Sequence, residues 1–437
     1  MNFRPAQSRS LRIVVVLAII LTGAITVFTR MRRSSLPPRH IFLFCLSGLR
    51  TSDLDTYAPP SSRSSSSPVI DAIAGKGVLF EHDYAQSDSA LFSQASVISS
   101  RFSSEIAPIH RRGYVLAQSV PTLPRVLWAH DWQTAIFCGN RALASSHGFH
   151  AGFNTNGCDP ARGNFRDLLP RALAWTRAHH GQRTMVLIQG NDCAEGGGEV
   201  SQVDSQIGTF LSQLASEGMT RANSLFVIYS DYGHQPSSRR VRTPWQNLLP
   251  DHLHVPLIVW GEGIQRGRRY RGVVQNLDIT PTVLGLLHLV PPARMRGFNR
   301  GPWLEADSPV SPPPAEALPS TVAFSESGGG LAAVITRRHE LIAGKAPPGT
   351  LDMLERLQEP PDPSRFALFD LSAGGPGDAD VSGNLVSDSA QRATFWRLQA
   401  LLLAQQRVAK ANQPVKNTAP RKLDPKLRRE LEIHGYW

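Results

Sequence analysis

Short runs of apolar residues, each bounded by turn-forming residues, recur along the chain and alternate with stretches of helical periodicity. Each run is short and almost continuously apolar, which is the pattern of a strand buried on both faces of a sheet. The predicted strands are His40–Cys45, Thr134–Cys138, Met185–Gln189, Leu225–Ser230 and Val255–Trp260. The predicted helices are Val69–Lys76, Ser93–Ser100, Thr122–Ala129, Asp204–Gly218 and Ile279–Leu287. The pattern therefore predicts an α/β fold, a parallel-rich sheet sandwiched by helices, with a ligand site beyond the carboxyl ends of the strands.

A proline- and serine-rich stretch at 305–320 ends this pattern and predicts a linker. Strand-like and helical segments follow it at Thr321–Ser325, Ala332–Thr336, Phe366–Leu371 and Gln391–Gln406. The sequence thus predicts a main domain over 40–304 and a smaller C-terminal α+β subdomain over 321–437, which includes a basic tail and a terminal helix.

Residues 13–29 form an uncharged apolar segment between a basic segment, 1–12, and a juxtamembrane linker, 30–39. Its length is near the lower limit for crossing a hydrocarbon core of about 30 Å. The arginines directly after it favour an uncleaved signal anchor, and cleavage near Ala24 is the competing interpretation. The sequence therefore predicts a single-pass membrane protein with a cytoplasmic N-terminus and the globular part outside the cytoplasm.

The formal net charge of +11 is concentrated in clusters. A hydrophobic content of 41% indicates a globular body and excludes a wholly disordered chain. Basic clusters lie at Arg239–Arg242, at Arg266–Arg271 and in the tail from Arg407 to Arg429. They indicate either a solvated surface or attraction to an anionic partner such as a sulfated polymer or lipid head groups. The candidate partners are the membrane, an anionic polymer or a partner protein, and no nucleic acid is expected.

The four cysteines show no C-x-x-C spacing and no zinc pattern, and their even number allows one disulfide. Cys45, Cys138 and Cys193 each lie at or just past the end of a predicted strand, as does Asp231. Because such ends converge on one edge of the sheet, a disulfide or soft-metal cluster there is one hypothesis. The alternative is that each cysteine is a small buried apolar residue.

The order of the segments resembles that of the sulfatase family of the alkaline phosphatase superfamily. HIFLFCLSGLRTSDLDTYA resembles the opening strand and turn of that family, and SLFVIYSDYGH resembles the strand that leads to a late metal aspartate. The segment VPLIVWGEGIQRGRRYRGVVQNLDITPTVLGLL resembles the end of the main domain, and FALFDLSAG resembles part of the C-terminal appendage. The resemblance covers nearly all of 40–437. It implies hydrolysis of sulfuric esters with one divalent cation, usually calcium, held by oxygen ligands.

The residues at the metal positions depart from the family pattern. The first strand of a sulfatase ends in a carboxylate, often two, where this chain has Ser47 and Gly48. The later pair, normally Asp followed by Asn or His, is Asp231 and Tyr232 here. Asp231 is thus the only retained candidate ligand, and an Asx turn is its structural alternative. The resemblance therefore implies calcium by family while the sequence predicts that most of its ligands are lost.

The catalytic positions depart in the same way. In the family a cysteine or serine nucleophile is followed by x-Pro-Ser-Arg at the start of a helix, where the helix N-terminus faces the sulfate. The matching residues here are Ala90, Leu91, Phe92, Ser93 and Gln94, of which only Ser93 is kept. The Lys-x-His after the second strand corresponds to Asn140, Arg141 and Ala142, and a later histidine corresponds to Gln189 or Ala194. Arg50 and Arg141 remain candidate anion contacts, with a surface or ion-pair role as the alternative. Ser87, Ser89 or Ser93 could replace the nucleophile only with an adjacent base or metal, and neither is evident from the sequence.

Three functional interpretations stay open. The first is a membrane-anchored pseudo-sulfatase that keeps the fold for binding or assembly, with a sulfated or phosphorylated polyanion as its candidate ligand. The second is an active sulfuric or phosphoric ester hydrolase with non-standard catalytic residues. The third is a structural component of an envelope complex. The joint loss of the metal ligands, the nucleophile and the clamp arginine, which is the motif arginine that would hold the sulfate, favours a protein that is not an enzyme.

Overall fold

A computed structural model describes the chain between residues 37 and 412. Within these bounds it leaves out 60, 62–65, 107–115, 117–119, 141–142, 144–147, 150, 195–199, 235–244, 306–320, 329, 345–360 and 373–382. Several predictions fall wholly or largely on residues outside this description. They concern the anchor segment, the Pro/Ser-rich linker, the Arg239–Arg242 cluster and the C-terminal tail.

A sheet of eight strands forms the centre of the molecule. Its strands are β1 His40–Leu46, β2 Val78–Tyr84, β3 Gln133–Cys138, β4 Thr155–Asn156, β5 Thr184–Gly190, β6 Ser224–Tyr229, β7 His254–Gly261 and β8 Arg268–Gln275. Their order is β4-β3-β5-β1-β6-β7-β2-β8. The central strand β1 pairs in parallel with β5 and β6 along its length. Its carboxyl end therefore lies between the carboxyl ends of both neighbours, where open α/β sheets place their ligand sites.

Helices cover both faces of this sheet. They are α1 Pro68–Lys76, α2 Ala90–Ser99, α3 Ser103–Ile106, α4 Leu123–Trp128, α5 Phe165–Ala178, α6 Val200–Ser216, α7 Pro250–Leu253, α8 Ile279–Leu286 and α9 Gly301–Leu304. Alternate residues of β1 enter different cores. Ile41, Leu43 and Cys45 pack with residues of α2, α4 and α8, and Phe42, Phe44 and Leu46 pack with residues of α1, α5 and α6. This two-sided burial explains why β1 is almost continuously apolar.

All five strands predicted for the main domain are present, and the predicted fold class is confirmed. The sheet is mostly parallel, and β7 is the exception, since it runs antiparallel to both of its neighbours, β6 and β2. The pattern also missed β8, because arginines fill its first half, and α5, which contains Pro170. Pro170 is the sixth residue of α5, beyond the first four whose N–H groups lack a partner within the helix, so it removes one helical hydrogen bond and weakens the helical pattern of the sequence.

A second, antiparallel sheet of four strands packs beside the first. Its strands are β9 Ala323–Glu326, β10 Ala332–Ile335, β11 His339–Ala343 and β12 Phe366–Asp370, in the order β12-β11-β10-β9. One face packs on α10, Arg392–Ala411, and the other shares a core with Tyr84 and Leu253 of the main body. The predicted α+β arrangement after the linker therefore agrees with the observed elements.

The single-pass membrane localisation needs correction. Across the residues described, no helix has both the length and the apolar character that crossing a membrane requires. This finding contradicts the predicted single-pass localisation. The apolar segment 13–29 itself lies outside the described residues.

A disulfide joins Cys138, the last residue of β3, to Cys158, which follows the short edge strand β4. The two cysteines are 20 residues apart in sequence. We expect replacement of both by serine to lower the free energy of unfolding by about 3 kcal/mol, because the open chain regains loop entropy. Urea unfolding of the double variant measures this loss, and reduction of the unaltered protein should reproduce it. An unchanged midpoint in both experiments would show that the bond is not a stabilising link.

Candidate functional site

Three polar side chains form a row at the carboxyl ends of the adjacent strands β5, β1 and β6. Ser47 Oγ donates a hydrogen bond of 3.0 Å to Asp231 Oδ2. Gln189 Nε2 donates one of 2.6 Å to Ser47 Oγ. All three side chains are buried, and burial raises the pKa of Asp231 to about 6, although the bond from Ser47 opposes the shift. The row is held together by its own hydrogen bonds.

A second buried network lies on the helix side of the same strand ends. Tyr229 OH donates a 3.0 Å hydrogen bond to Gln94 Oε1, and Gln94 Nε2 donates to Cys45 Sγ at 2.8 Å. Burial, reinforced by the nearby charge of Asp231, raises the pKa of the Cys45 thiol well above its ordinary value. Gln94 is therefore a neutral, buried bridge between β6 and β1 whose amide is used on both sides.

The backbone around Gly48 closes the end of β1. Gly48 has φ +87°, and a Cβ atom added there would lie 2.5 Å from the carbonyl oxygen of Cys193. Gly48 N donates to the carbonyl oxygen of Tyr232 at 2.9 Å, and His234 N donates to the carbonyl oxygen of Gly48 at 2.8 Å. The space beside Gly48 is thus filled by main chain from two other loops.

The segment before α2 is fixed by hydroxyl groups. Ser93 Oγ donates to the carbonyl oxygen of Ser87 at 2.9 Å and accepts from Ser87 N at 3.1 Å. Ser87 Oγ donates to Asp88 Oδ1 at 3.1 Å. Burial raises the pKa of Asp88 from 3.8 to about 7, although its hydrogen bond to Ser87 opposes the shift. Asp88 was overlooked at the sequence level, where the only available signal was a carboxylate between two serines.

Comparison with known proteins relates this geometry to a family. A family model described as sulfatase matches residues 144–289. A putative sulfatase from Bacteroides thetaiotaomicron superposes with a TM-score of 0.65 at 16% identity, over 90% of this chain and 96% of the other. Residues 144–289 thus match the sulfatase family model, and the chain shares its fold with solved structures of sulfatases. A protein solved with its substrate D-glucosamine-2-N,6-O-disulfate also superposes with a TM-score of 0.65, at 15% identity, over 88% of this chain and all (100%) of the other.

A curated relative is similar to this chain in sequence over a shorter stretch. Arylsulfatase K of Xenopus laevis is 26% identical over 129 residues. The match covers 30% of this chain and 24% of that relative, so the chain spans about a quarter of the length of the curated relative it matches.

The residues at the sulfatase metal positions do not fit a calcium ion. Calcium takes six to eight oxygen ligands, with carboxylates prominent among them. Asp231 Oδ1 has no hydrogen-bond partner within the described part of the chain, but Oδ2 is bound to Ser47. Gly48 has no side chain, and main chain fills the space beside it. In the described ranges, no three His, Cys, Asp or Glu side chains are grouped so that they could hold a metal ion. One carboxylate and one hydroxyl are too few charged donors for this cation.

The structure does not bring the three strand-end cysteines together. Cys138 is bonded to Cys158, which the cluster hypothesis did not include. Cys45 lies in the core on the α2 side of the sheet, and Cys193 lies in the core on the α5 side. The hypothesis of a sulfur cluster is therefore wrong, because the sheet itself separates the side chains of Cys45 and Cys193.

The two candidate anion contacts have different outcomes. Arg50 Nη2 lies 2.7 Å from Asp53 Oδ1, so the structure places its guanidinium in an ion pair on the short turn that follows β1. Arg141 and Ala142 lie outside the described residues, whereas Asn140 accepts a backbone hydrogen bond from Leu143. Asp192, which follows β5, accepts hydrogen bonds from Phe165 N at the start of α5, which is a helix-capping role.

The raised pKa of Asp88 predicts a measurable pH dependence of stability. The folded state binds this proton more tightly than the unfolded state, so the stabilisation is complete below about pH 4 and is lost as the pH rises towards 7. We expect Asp88→Asn to remove about 2–4 kcal/mol of this pH-dependent change. Urea unfolding at pH 4.5, 6 and 8 measures it, with Asp131→Asn as the exposed control. Parallel pH profiles for Asp88→Asn and the unaltered protein would contradict the prediction.

Proposed function

We propose that this chain is a sulfatase-fold protein that does not hydrolyse sulfuric or phosphoric esters and that serves to bind anionic polymers. The observation that carries the proposal is the pair of closed networks at the strand ends. Gln94 occupies the position of the clamp arginine and is bound on both sides by Tyr229 and Cys45. A neutral amide engaged in this way has no charge to offer a sulfate.

The nucleophile position supports the same proposal. Ala90 stands where the family has its cysteine or serine and is 8% exposed. A methyl group can neither attack sulfur nor hold a proton. The residues that follow, Leu91 and Phe92, pack into the core on the α2 side of the sheet. The nucleophile position is therefore an inert methyl group followed by two buried apolar side chains.

The ligand class follows from charge and from the structural relatives. The chain carries a net charge of +11, which attracts polyanions. One structural relative was solved with a disulfated glucosamine as its substrate. Sulfated polysaccharides combine a carbohydrate that this fold accommodates elsewhere with the charge that this chain would attract, so we propose them as the ligand class.

An ester-hydrolysis assay tests the loss of catalysis. Purified protein is incubated with aryl sulfates and aryl phosphates, with calcium or manganese added, and release of the phenol is followed. We expect no turnover above the protein-free control. Turnover that disappears in Asp231→Ala would overturn the proposal, because it would place catalysis at the one retained carboxylate.

A second candidate function rests on Ser87 and Asp88. The hydrogen bond from Ser87 Oγ to a carboxyl group with a pKa of about 7 is the arrangement of a nucleophile beside a general base. Ser87 is fully buried, so an ester would reach it only after local movement. This function requires turnover that rises with pH around 7 and is lost in Ser87→Ala but kept in Ser89→Ala. Equal activity of these two variants would exclude it.

A further inference from the structure

The outer edge of the eight-stranded sheet carries a cluster of arginines. Strand β8 is the last strand in the order, with β2 as its neighbour on the inner side. Its first half is exposed to solvent at every position except Tyr270, whereas its last residue, Gln275, contacts β9 through the backbone of Phe324. We call the following residues the arginine edge: Arg221, Arg266, Arg268, Arg269 and Arg271.

The carboxylates near this edge are too few to neutralise it. Arg269 Nε lies 2.6 Å and Arg271 Nε 3.6 Å from the two oxygens of the same residue, Glu81. Arg268 Nε donates to the uncharged side chain of Gln265 at 2.7 Å. The side chain of Arg271 remains 72% exposed, so its charge faces water. Two guanidinium groups thus share one carboxylate, and a third has a neutral partner.

The same imbalance continues beyond the strand. Arg221 Nη1 lies 3.2 Å from Glu262 Oε2, and burial together with the charge of Arg266 lowers the pKa of Arg221. Lys76 is at the end of α1, whose following residue accepts a hydrogen bond from Arg268 N. Glu305 is a further acidic residue near this edge, because its backbone pairs with Ile264 shortly before β8. Among the residues that the structure describes, the five arginines and Lys76 therefore lie near three glutamates, Glu81, Glu262 and Glu305, a surplus of three positive charges.

We infer that the arginine edge is the surface that binds a sulfated polysaccharide, and that anion binding in this chain takes place here and not in the old sulfatase pocket. This inference rests on the proposed function, since it assigns a location to the polymer binding proposed above. Within the described pocket, the guanidinium of Arg50 is paired with Asp53 and the clamp position is the neutral Gln94. The edge, by contrast, presents charges that a ligand can reach without any movement of the fold.

The shape of the edge favours a linear polymer over a membrane. From Arg268 to Arg271 the extended strand covers about 10 Å at ~3.3 Å per residue. Side chains of consecutive strand residues point to opposite sides, so the guanidinium groups flank a line and do not lie in one plane. A chain of sulfate groups can follow such a line, whereas a planar lipid surface would contact only one of its two sides.

Protection of the sheet edge is the competing explanation. Charged side chains on an edge strand prevent pairing with a second sheet, and this needs no ligand. The two explanations differ in what removal of the charges does. Protection predicts association of the variant with itself, and polymer binding predicts loss of affinity for heparin with the variant still monomeric.

The experiment compares two triple variants with the same change in net charge. The test variant is Arg266→Gln, Arg268→Gln and Arg271→Gln, and the control is Arg162→Gln, Arg183→Gln and Arg338→Gln, all with exposed side chains. Binding of labelled heparin is measured against salt concentration, with neutral dextran as the blank. We expect the test variant to weaken heparin binding at least tenfold and to reduce its salt dependence, and the control variant to change it less than about twofold.

Several results would overturn the inference. Equal losses of heparin affinity in the two variants would mean that only the net charge matters. Binding of anionic vesicles without binding of heparin would point to a membrane surface. Self-association of the test variant with unchanged heparin affinity would point to protection of the sheet edge. Loss of binding only on replacement of Arg239, Arg240 and Arg242 would also overturn it. Failure of the proposed function is recognised separately, because ester turnover would contradict that proposal wherever heparin binds.

Discussion

Replacing Gly48 by aspartate is expected to lower the free energy of unfolding and not to restore a metal site. The substitution returns the family carboxylate to its position, but the residue has φ +87° and its Cβ would lie 2.5 Å from the carbonyl oxygen of Cys193. The left-handed backbone costs a non-glycine residue about 1–3 kcal/mol, and overpacking costs a similar amount. We therefore expect a loss of about 3–5 kcal/mol, measured by urea unfolding, with no calcium binding by calorimetry.

Two control variants separate the causes of this loss. Gly48→Ala adds the Cβ without a charge and should lose nearly as much stability as Gly48→Asp. Ser47→Asp adds a carboxylate without the clash of a new Cβ, and its loss of stability should come from repulsion with Asp231 and should shrink as the pH falls. Calcium binding by Gly48→Asp, with stability unchanged, would show that the loops around Gly48 can open and that only side chains were lost.

The sequence predicts the fold well because its signal is physical and local. Strands buried on both faces must be largely apolar, and β1, β5 and β6 are, with polar residues only near their ends. The direction of β7 leaves no such trace, because HVPLIVWG reads equally well as a buried parallel or antiparallel strand. Strand β8 carries arginines where it faces solvent at the edge, so the pattern of a buried strand does not apply to it.

The candidate site also has one part that the sequence predicts, the identity of its residues, and one part that it does not, the packing around them. Positions such as Ser47, Ala90 and Gln94 follow from the order of segments, and the structure places them at one end of the sheet. The approach of the Cys193 backbone to Gly48 and the bridge formed by Gln94 depend on how distant loops meet, which no local pattern encodes. The Cys138–Cys158 bond has the same cause, since Cys158 belongs to an irregular segment without periodicity.

Replacing Arg300 by methionine is expected to have the second large effect. Arg300 Nη2 lies 2.7 Å from Asp278 Oδ2, and both side chains are 1% exposed. The guanidinium also lies over the ring of Trp303 at 5.2 Å. Methionine would leave the carboxylate of Asp278 buried without its counter-charge, which costs about 3–5 kcal/mol. Thermal and urea unfolding measure the loss, and Arg177→Met in an exposed pair should cost less than about 0.5 kcal/mol.

The pH dependence of this variant identifies the cause. A deficit that comes from an unpaired buried charge depends on pH, because protonation removes that charge. The deficit should therefore shrink as the pH falls towards 4 and reach its full size near pH 8. The double variant Arg300→Met and Asp278→Asn should regain part of the stability at neutral pH, since no charge is left buried. A deficit that is equal at both pH values would mean that the loss comes from the ring contacts of Arg300 and not from its charge. In that case the ion pair between Arg300 and Asp278 would not be the interaction that holds the segment after α8 in place.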